Sequence, residues 1–272
     1  MKLMTLNSHS LSEPNEEEKR RALVSFLERE RPDCVALQEV CQSRSAPPVP
    51  LPWEGEIVGE ESIPLRSDNF LLKLWEAVRD EYFFCWLPVK IGYGTRDEGL
   101  GFLCRSPISE ATEILLTPER GYEDWRRRMA LFVRPKGWRE VMVCLHTDWW
   151  EEGFLSEWEI LRSACDSVGA VWLMGDFNVS AERLLRCGDP LRAAGYWDSY
   201  SLATERDRSD TVLPVADGWW GRERGDGLRI DQIRCRPKRS ICRYRRVLDG
   251  RVDPVISDHY GVMIETQEER NG

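Results

Sequence analysis

Apolar residues in this chain fall into short runs separated by segments with helical spacing. Residues 2–6 form an apolar run that ends in polar residues, and residues 34–40 form a second. Between them, apolar residues recur at helical spacing from Ala22 to Leu27, after Pro14 and an acidic turn and before Pro32. The pattern predicts a strand, an amphipathic helix and a second strand in that order.

Further along, residues 69–82 and 156–168 carry the spacing of two more amphipathic helices. Residues 43–66 are rich in Pro and Glu without a clear period, which predicts a long surface excursion. The remaining predicted strands are Phe83–Val89, Gly101–Cys104, Met129–Val133, Val141–His146, Val171–Met174, and segments within 227–236, 240–248 and 261–265.

Many short strands with helices in a non-alternating order argue against a simple repeat of strand and helix. Two packed sheets with helices on the outside fit the order better. The sequence has no internal repeat, low-complexity linker or break in composition. We therefore expect one domain over residues 1–272, of mixed α/β class, with the excursion at about 43–66.

Composition narrows the class of protein. The 42% apolar and 31% charged residues are ordinary for a soluble globular chain, and the apolar runs are too short to span a bilayer. The first ten residues lack the apolar stretch of a signal peptide. Nine cysteines without a CxxC pair favour reduced thiols over disulfides or zinc. We expect a cytoplasmic protein, without an obligate protein partner.

The net charge of −9 disfavours long nucleic acid as the main partner, because such binding depends on Lys and Arg neutralising phosphates. It does not exclude a nuclease, since a metal ion in an acidic site can hold a phosphate that the overall field repels.

Polar side chains that can take part in catalysis or metal binding follow or precede several of the apolar runs. A turn alone would explain any one of them, because Gly, Asp and Asn are common after strands. Their number instead indicates a shared site, and two of the three histidines of the chain belong to it. The residues are Asn7, Glu39, His146, Asp176, Asn178, Asp231, Asp258 and His259, with His9 two positions beyond Asn7.

This mixture suits metal-assisted hydrolysis of a phosphoester. Carboxylate oxygens are suited to Mg²⁺, with Mn²⁺ as a substitute, whereas a zinc site would gather His and Cys at close spacing. Imidazoles and amides can hold phosphoryl oxygens as charge builds up, and a further carboxylate can take a proton from the attacking water.

The motifs LN, LQEV, LHTDWW, GDFNV, RIDQI and SDHYGV occur here in the order and spacing of a known family. From Asn7 to Gly261 the chain resembles the endonuclease/exonuclease/phosphatase superfamily, which has the DNase I-like fold. LNSHS and GYGTRDEGLGFLCRSPI also resemble its bacterial RgfB-like branch.

The resemblance implies a four-layer α/β/β/α sandwich of two mixed, largely antiparallel sheets, with the site at one edge. It implies that Glu39 is the main metal ligand, with Asn7 and Asp258 close to the metal. It also implies a role for Asp176 in orienting or deprotonating the water. Asn178 and His146 would hold phosphate, and His259, fixed by Asp231, would act on the scissile phosphate. Whether Asp176 or the His259–Asp231 pair is the base stays open.

The sequence says less about the substrate than about the reaction. Aromatic pairs beside the predicted site could stack on a flat group, although core packing is the competing explanation. Arg128 could pair with phosphate, and Glu98 could join the site or be an exposed loop carboxylate. Residues 234–246 form a basic run that fits a solvated hairpin face better than a nucleic-acid contact. The aromatic pairs are Trp149 with Trp150 and Trp219 with Trp220.

Two classes of function remain at this point. The first is a Mg²⁺-dependent phosphoesterase whose substrate is a nucleic acid, a nucleotide, a phospholipid headgroup or a sugar phosphate. The second is a non-catalytic binding or regulatory protein on the same scaffold, which predicts the loss of Glu39, Asp176, Asn178 or His259. All four are present.

Overall fold

The computed structural model describes residues 1–59, 63–213 and 228–267. Two mixed sheets dominate this part of the chain. The first sheet has eight strands, in the spatial order β11 (Ala203–Arg206), β13 (Ile241–Val247), β14 (Gly261–Thr266), β1 (Lys2–Asn7), β2 (Cys34–Ser43), β5 (Arg96–Cys104), β4 (Phe83–Gly92) and β3 (Gly55–Ile57).

The second sheet has six strands. Most of its neighbours are antiparallel, but β8 and β9 run parallel to each other. Its spatial order is β10 (Trp197–Asp198), β12 (Asp231–Arg236), β9 (Val171–Asp176), β8 (Val141–His146), β7 (Met129–Pro135) and β6 (Ile108–Leu115).

Several helices begin at residues that stabilise the positive end of the helix dipole or cap a free N–H group. The first helix opens with three glutamates, which interact favourably with the positive end of its dipole. Asn69 caps the second by accepting a hydrogen bond from the Leu72 N–H. The helices are α1 (Glu16–Glu30), α2 (Phe70–Val78), α3 (Phe154–Asp166), α4 (Ala181–Arg186), α5 (Pro190–Ala193) and α6 (Ser199–Leu202), and Ser10–Ser12 form a 3-10 turn.

Three apolar clusters separate the layers. One lies between the sheets and includes Phe102, Trp172 and Ile233. A second packs α1 and α2 against the eight-stranded sheet, and a third packs α3 against the six-stranded sheet, with Phe26 and Trp158 among their buried residues. The α/β/β/α sandwich predicted from the sequence is therefore confirmed. The extent of the domain over 1–272 stays a prediction.

The apolar pattern did not predict two short or half-exposed edge strands. Residues 43–66 contain β3, which pairs with β4 at the edge of its sheet, so part of the predicted excursion is strand. The edge strand β6 has no buried residue and lacks a continuous apolar face. Tertiary pairing, not apolar content, makes these segments strands.

Strand register brings distant polar residues to one edge of the sandwich. In the six-stranded sheet, Asp176 lies opposite both His146 on β8 and Asp231 on β12. In the eight-stranded sheet, Asn7 at the end of β1 pairs with Gln38, the residue before Glu39. The sequence-distant candidates thus become neighbours.

Two further findings concern the chain as a whole. No helix within the described ranges is long and apolar enough to cross a membrane. All nine cysteines are free, and seven are buried.

Candidate active site

A pocket of about 560 Å³ opens at this edge of the two sheets. It gathers most of the polar residues predicted from the strand ends, together with residues from the β4–β5 hairpin and the segment before β7. Its lining comprises His9, Glu39, Lys90, Ile91, Gly92, Tyr93, Gly94, Glu98, Glu123, Trp125, Arg128, His146, Trp149, Asp176, Asn178, Asp258 and His259.

Glu39 is aimed into the pocket by an irregularity in β2. The pairing of β2 with β5 shifts register between Leu37 and Val40, and Glu39 has a φ of 55°. A bulge of this kind redirects a side chain, and a non-glycine residue in the left-handed region is uncommon outside such features. The sequence placed Glu39 at a strand end, whereas the strand continues past it to Ser43.

Asn7 lies between two carboxylates. Its Nδ2 donates to Glu39 Oε1 at 2.9 Å and to Asp176 Oδ2 at 3.1 Å, while its Oδ1 accepts from the His9 N–H at 3.2 Å. The amide nitrogen, not the oxygen, therefore faces the carboxylates. The role of Asn7 beside a metal stays a prediction.

Burial and crowding of negative charge act on Glu39. Burial, followed by the charge of Glu98, raises its pKa to about 7, and the charge of Asp258 adds to the effect. Asp258 itself lies in a group with His9 and Glu13 whose ligand atoms are within 4.8 Å of one another. Carboxylates that crowd together are an environment in which a divalent cation is stabilised.

Asp176 sits at the centre of the site. Its Oδ2 lies 3.6 Å from His146 Nε2 and 3.9 Å from His259 Nε2, and its Oδ1 accepts from the Asn178 N–H at 2.8 Å. Burial raises its pKa to about 6, although the charge of His259 opposes the shift. It is a stronger base than an exposed aspartate.

Asn178 does not continue the strand. Its φ of 47° turns the chain after Asp176, so the Asp176 and Asn178 side chains do not follow the alternation of an extended strand. Its Nδ2 donates to the Thr147 carbonyl at 2.9 Å. The residue lines the pocket, held by a bond to the loop after β8.

Gly175 is needed for close approach of strands. Its φ is +155°, and a Cβ there would lie 2.0 Å from the carbonyl oxygen of Leu145 on β8. The absence of a side chain here allows Asp176 to stand directly beside His146 across the parallel pair.

The two histidines of the site differ in charge. His259 Nδ1 lies 2.9 Å from Asp231 Oδ2. Burial alone would lower its pKa, but the charges of Asp231 and Asp176 raise the pKa well above the usual 6.5. Burial and the charges of Arg128 and Lys90 lower the pKa of His146 well below that value. At neutral pH His259 is thus cationic and His146 neutral.

Some of the predicted substrate residues line the pocket, and others do not. Arg128, Glu98 and Trp149 line the pocket, and Glu98 is a buried residue of β5, not an exposed loop carboxylate. Trp150 lies outside the lining and stacks on Phe154, whose ring belongs to the core beneath α3. Trp219 and Trp220 lie outside the described residues.

Sequence reasoning missed several pocket residues. Lys90 is buried on β4, and Tyr93 and Trp125 are exposed at the mouth, by 61% and 56%. A single lysine within the apolar run of β4 was a signal that could have been used, because buried lysines are rare without a partner. No comparable signal marked Tyr93 or Trp125.

The basic run at 234–246 is neutralised by acidic residues from other segments. Each of its six arginines meets a carboxylate, and Lys238 lies over the ring of Trp197 at 4.4 Å. Arg234 is buried, so the run is not simply a solvated face. The pairs are Arg234 with Asp189, Arg236 with Asp166, Arg239 with Glu140, Arg243 with Glu205, Arg245 with Glu30, and Arg246 with Asp210 and Asp249.

Solved structures share this fold. An endonuclease/exonuclease/phosphatase family protein from Leptotrichia buccalis C-1013-b has a TM-score of 0.83 at 21% identity, covering 98% of this chain and 99% of that one. A mannosyl-6-phosphatase from Bacteroides thetaiotaomicron VPI-5482 has 0.68 at 16%, with 98% and 99% covered. A Neisseria 3′ phosphatase bound to a product DNA hairpin has 0.64 at 19%, with 98% and 99% covered. At these identities the likeness concerns the fold.

No curated protein matches the sequence. The matches do not separate branches of the superfamily, so the RgfB-like assignment stays a prediction. A sequence model of the whole family matches residues 4–259, and this range includes every predicted catalytic and metal residue. The chain therefore belongs to the Endonuclease/Exonuclease/phosphatase family, whose members are hydrolases that act on phosphoester bonds.

Proposed function

We propose that the protein is a Mg²⁺-dependent phosphoesterase that hydrolyses its substrate by attack of an activated water. The observation that carries this proposal is the position of Asp176 between neutral His146 and cationic His259, with Glu39 joined to it through Asn7. A base, two phosphate-binding imidazoles and a carboxylate for a cation are then within one pocket.

The residues fit a hard divalent cation. Glu39 and Asp258 would hold it through carboxylate oxygens, and the charges of Glu98 and Asp258 that raise the pKa of Glu39 are a repulsion that a bound cation would relieve. No cysteine is among the pocket-lining residues of the described chain, which disfavours zinc. When bound, Mg²⁺ or Mn²⁺ would supply positive charge to the phosphoryl oxygens.

Asp176 is the proposed base. A pKa of about 6 leaves the carboxylate mostly ionised at neutral pH yet more basic than usual, which favours proton removal from water. His259 is held protonated by Asp231 and is therefore a poor base, but it is well suited to donate to a phosphoryl oxygen. His146 and Asn178 complete the phosphate-binding set.

Aromatic rings also border the pocket. Tyr93, Trp125 and Trp149 line it, and the first two are exposed at its mouth. A flat leaving group such as a sugar ring or a base could stack there. These residues support a compact substrate, as does the pairing of the basic run with carboxylates.

The test is a substrate panel with added Mg²⁺ or with EDTA, applied to the wild type and to Asp176→Asn. The panel contains nucleotides, sugar phosphates, sphingomyelin, plasmid DNA and short single-stranded DNA and RNA. We expect turnover of at least one member with Mg²⁺, and a loss of about 100-fold or more in Asp176→Asn. Full activity in EDTA, or no turnover of any member, contradicts the proposal.

A further inference from the structure

Two buried cations in the pocket, one of them a phosphate candidate from the sequence, have no role yet in the reaction proposed above. Lys90 on β4 is 6% exposed, and Arg128, the residue before β7, is 3% exposed. Both line the pocket and both act on the pKa of His146. Because burying a charge is unfavourable unless it is paired, the partners of these two residues decide whether they are structural or available to a ligand.

Lys90 has a close partner and Arg128 does not. Lys90 Nζ lies 3.1 Å from Glu98 Oε1. The nearest carboxylate oxygen to Arg128, Asp148 Oδ1, is 3.6 Å from Nη2, which is longer than a hydrogen bond. The Nε of Arg128 is buried and makes no hydrogen bond to the described residues. The guanidinium of Arg128 therefore lines the pocket with hydrogen-bonding capacity that the described residues do not fully use, which suits an anionic ligand.

The two cations also line one small cavity together with His146. Burial lowers the pKa of Lys90, and the charge of Arg128 is the next largest contribution to that lowering. Glu98, the partner of Lys90, also acts on Glu39 and raises its pKa. Lys90 and Arg128 thus place two positive charges beside His146.

We infer that Lys90 and Arg128 bind terminal phosphoryl oxygens of the substrate and select phosphomonoesters over phosphodiesters. This inference rests on the proposed phosphoesterase function and adds the substrate class. A monoester carries nearly two negative charges at neutral pH and offers three terminal oxygens. A diester carries one charge, and an alkoxy group would replace the third acceptor, leaving a buried donor without a partner.

The reaction would follow from this binding. The oxygen of water forms a bond to phosphorus as the ester P–O bond breaks. One proton of the water passes to Asp176, which later releases it to solvent, and the departing alkoxide takes up a proton from solvent. The products are inorganic phosphate and an alcohol, and no oxidant or second substrate is needed.

The first experiment compares 4-nitrophenyl phosphate with bis(4-nitrophenyl) phosphate in the presence of Mg²⁺. We expect the wild type to favour the monoester by about 10-fold or more in kcat/KM. In Lys90→Met and Arg128→Met the monoester value falls by about 10- to 100-fold, while the diester value changes by less than about 3-fold. Equal losses on both substrates, or a wild type that prefers the diester, overturn the inference while leaving phosphoesterase activity in place.

Control variants separate recognition from folding. Arg134→Met removes an arginine from β7 that pairs with Glu110 outside the pocket, and we expect it to retain the substrate preference. The double variant Lys90→Met with Glu98→Gln avoids an unpaired buried carboxylate, and we expect it to lose the preference as Lys90→Met does. Retention of the preference in this folded double variant contradicts the role of Lys90.

Binding is measured without turnover. Titration calorimetry with Mg²⁺ present uses inorganic phosphate and dimethyl phosphate as probes. We expect phosphate to bind at least about 10-fold more tightly than dimethyl phosphate, and this difference to disappear in Arg128→Met. If the catalytic panel fails but this difference is found, phosphate recognition stands and the proposed function does not. Equal affinity for both probes overturns the recognition itself.

Discussion

Asp231 and His259, separated by 28 residues in the chain, join through a 2.9 Å contact between Oδ2 and Nδ1. The carboxylate starts β12, directly opposite Asp176 on β9, whereas the imidazole precedes β14 in the other sheet. The contact therefore spans the two sheets. It fixes the ring of His259 and favours its protonated form, with Nε2 turned toward Asp176.

Asp231→Asn should reduce activity without removing the pocket. The amide has nearly the same shape but no charge, so the pKa of His259 falls in the variant. We expect kcat/KM to drop by about 10- to 100-fold, as is common when a supporting carboxylate is removed. The high-pH limb of the pH–rate profile moves to lower pH, because the protonated histidine is lost earlier. A steady-state pH profile measures both effects.

Asp198→Asn provides the comparison for Asp231→Asn. Asp198 is also a buried aspartate, but its partner is Arg229, away from the pocket. We expect this variant to lose stability while the position of the high-pH limb stays unchanged. A shift of that limb in Asp198→Asn, or none in Asp231→Asn, contradicts the role of the Asp231–His259 contact.

The metal-free protein should lose stability as pH rises toward neutrality. The pKa of Glu39 is about 7 in the folded protein against 4.5 for an ordinary glutamate, so folding favours the protonated form. This stabilisation is fully present below pH 4.5 and is lost as pH rises through 7. Asp176, with a pKa of about 6, acts in the same direction. Thermal unfolding in EDTA at several pH values measures the trend.

Glu39→Gln tests the source of that trend. The variant cannot ionise, so we expect its Tm in EDTA to exceed that of the wild type above about pH 7 and to match it near pH 4.5. Added Mg²⁺ should raise the Tm of the wild type more than that of the variant, and more at pH 8 than at about pH 6, since binding must displace the Glu39 proton. Identical pH dependence in the two proteins would rule out Glu39 as its origin.

Gly175→Ala should destabilise the protein by about 2–4 kcal/mol, because the new Cβ would collide with a backbone oxygen that cannot rotate away. Urea denaturation measures the loss. Gly169→Ala is a matched control, with a φ of +81° and nothing within 4 Å of the added Cβ. We expect Gly169→Ala to lower the free energy of unfolding by about 1–2 kcal/mol, because it introduces backbone strain without a collision. Equal losses of stability in the two variants would contradict this, because they would mean that the backbone at Leu145 moves aside at little cost.

Trp125→Ala and Tyr93→Ala should weaken binding of substrates with flat leaving groups. Loss of one stacking ring corresponds to about 1–3 kcal/mol, so we expect KM to rise by about 5- to 100-fold for 4-nitrophenyl phosphate. For methyl phosphate, which has no ring, KM should change little. Trp53→Ala removes another exposed tryptophan, which meets Phe83 and lies outside the pocket, and should leave both values unchanged. A uniform change in KM for both substrates contradicts the stacking role.

Much of the architecture could be read from the sequence. The strand and helix periods over 2–6, 22–27, 34–40 and 141–146 correspond to β1, α1, β2 and β8, because each buries one face or both faces in a core. The polar residues that end these runs were also visible as candidates. The sequence did not show which of these candidates would contact one another.

That information resides in register, bulges and packing between the sheets. The left-handed turn at Asn178, the bulge that aims Glu39 and the orientation of the Asn7 amide depend on neighbours far along the chain. Lys90 and Arg128 come together from different sheets, so no local pattern could join them.

The sequence by itself determined the kinds of chemistry available, since residue types and their place at strand ends are local properties. Only the tertiary structure decided the charge of each group. A histidine is cationic at position 259 and neutral at 146 because burial and the sign of the nearest charges differ between the two sites. Those charges come from strands that the chain order keeps apart and that packing of the two sheets brings to one edge.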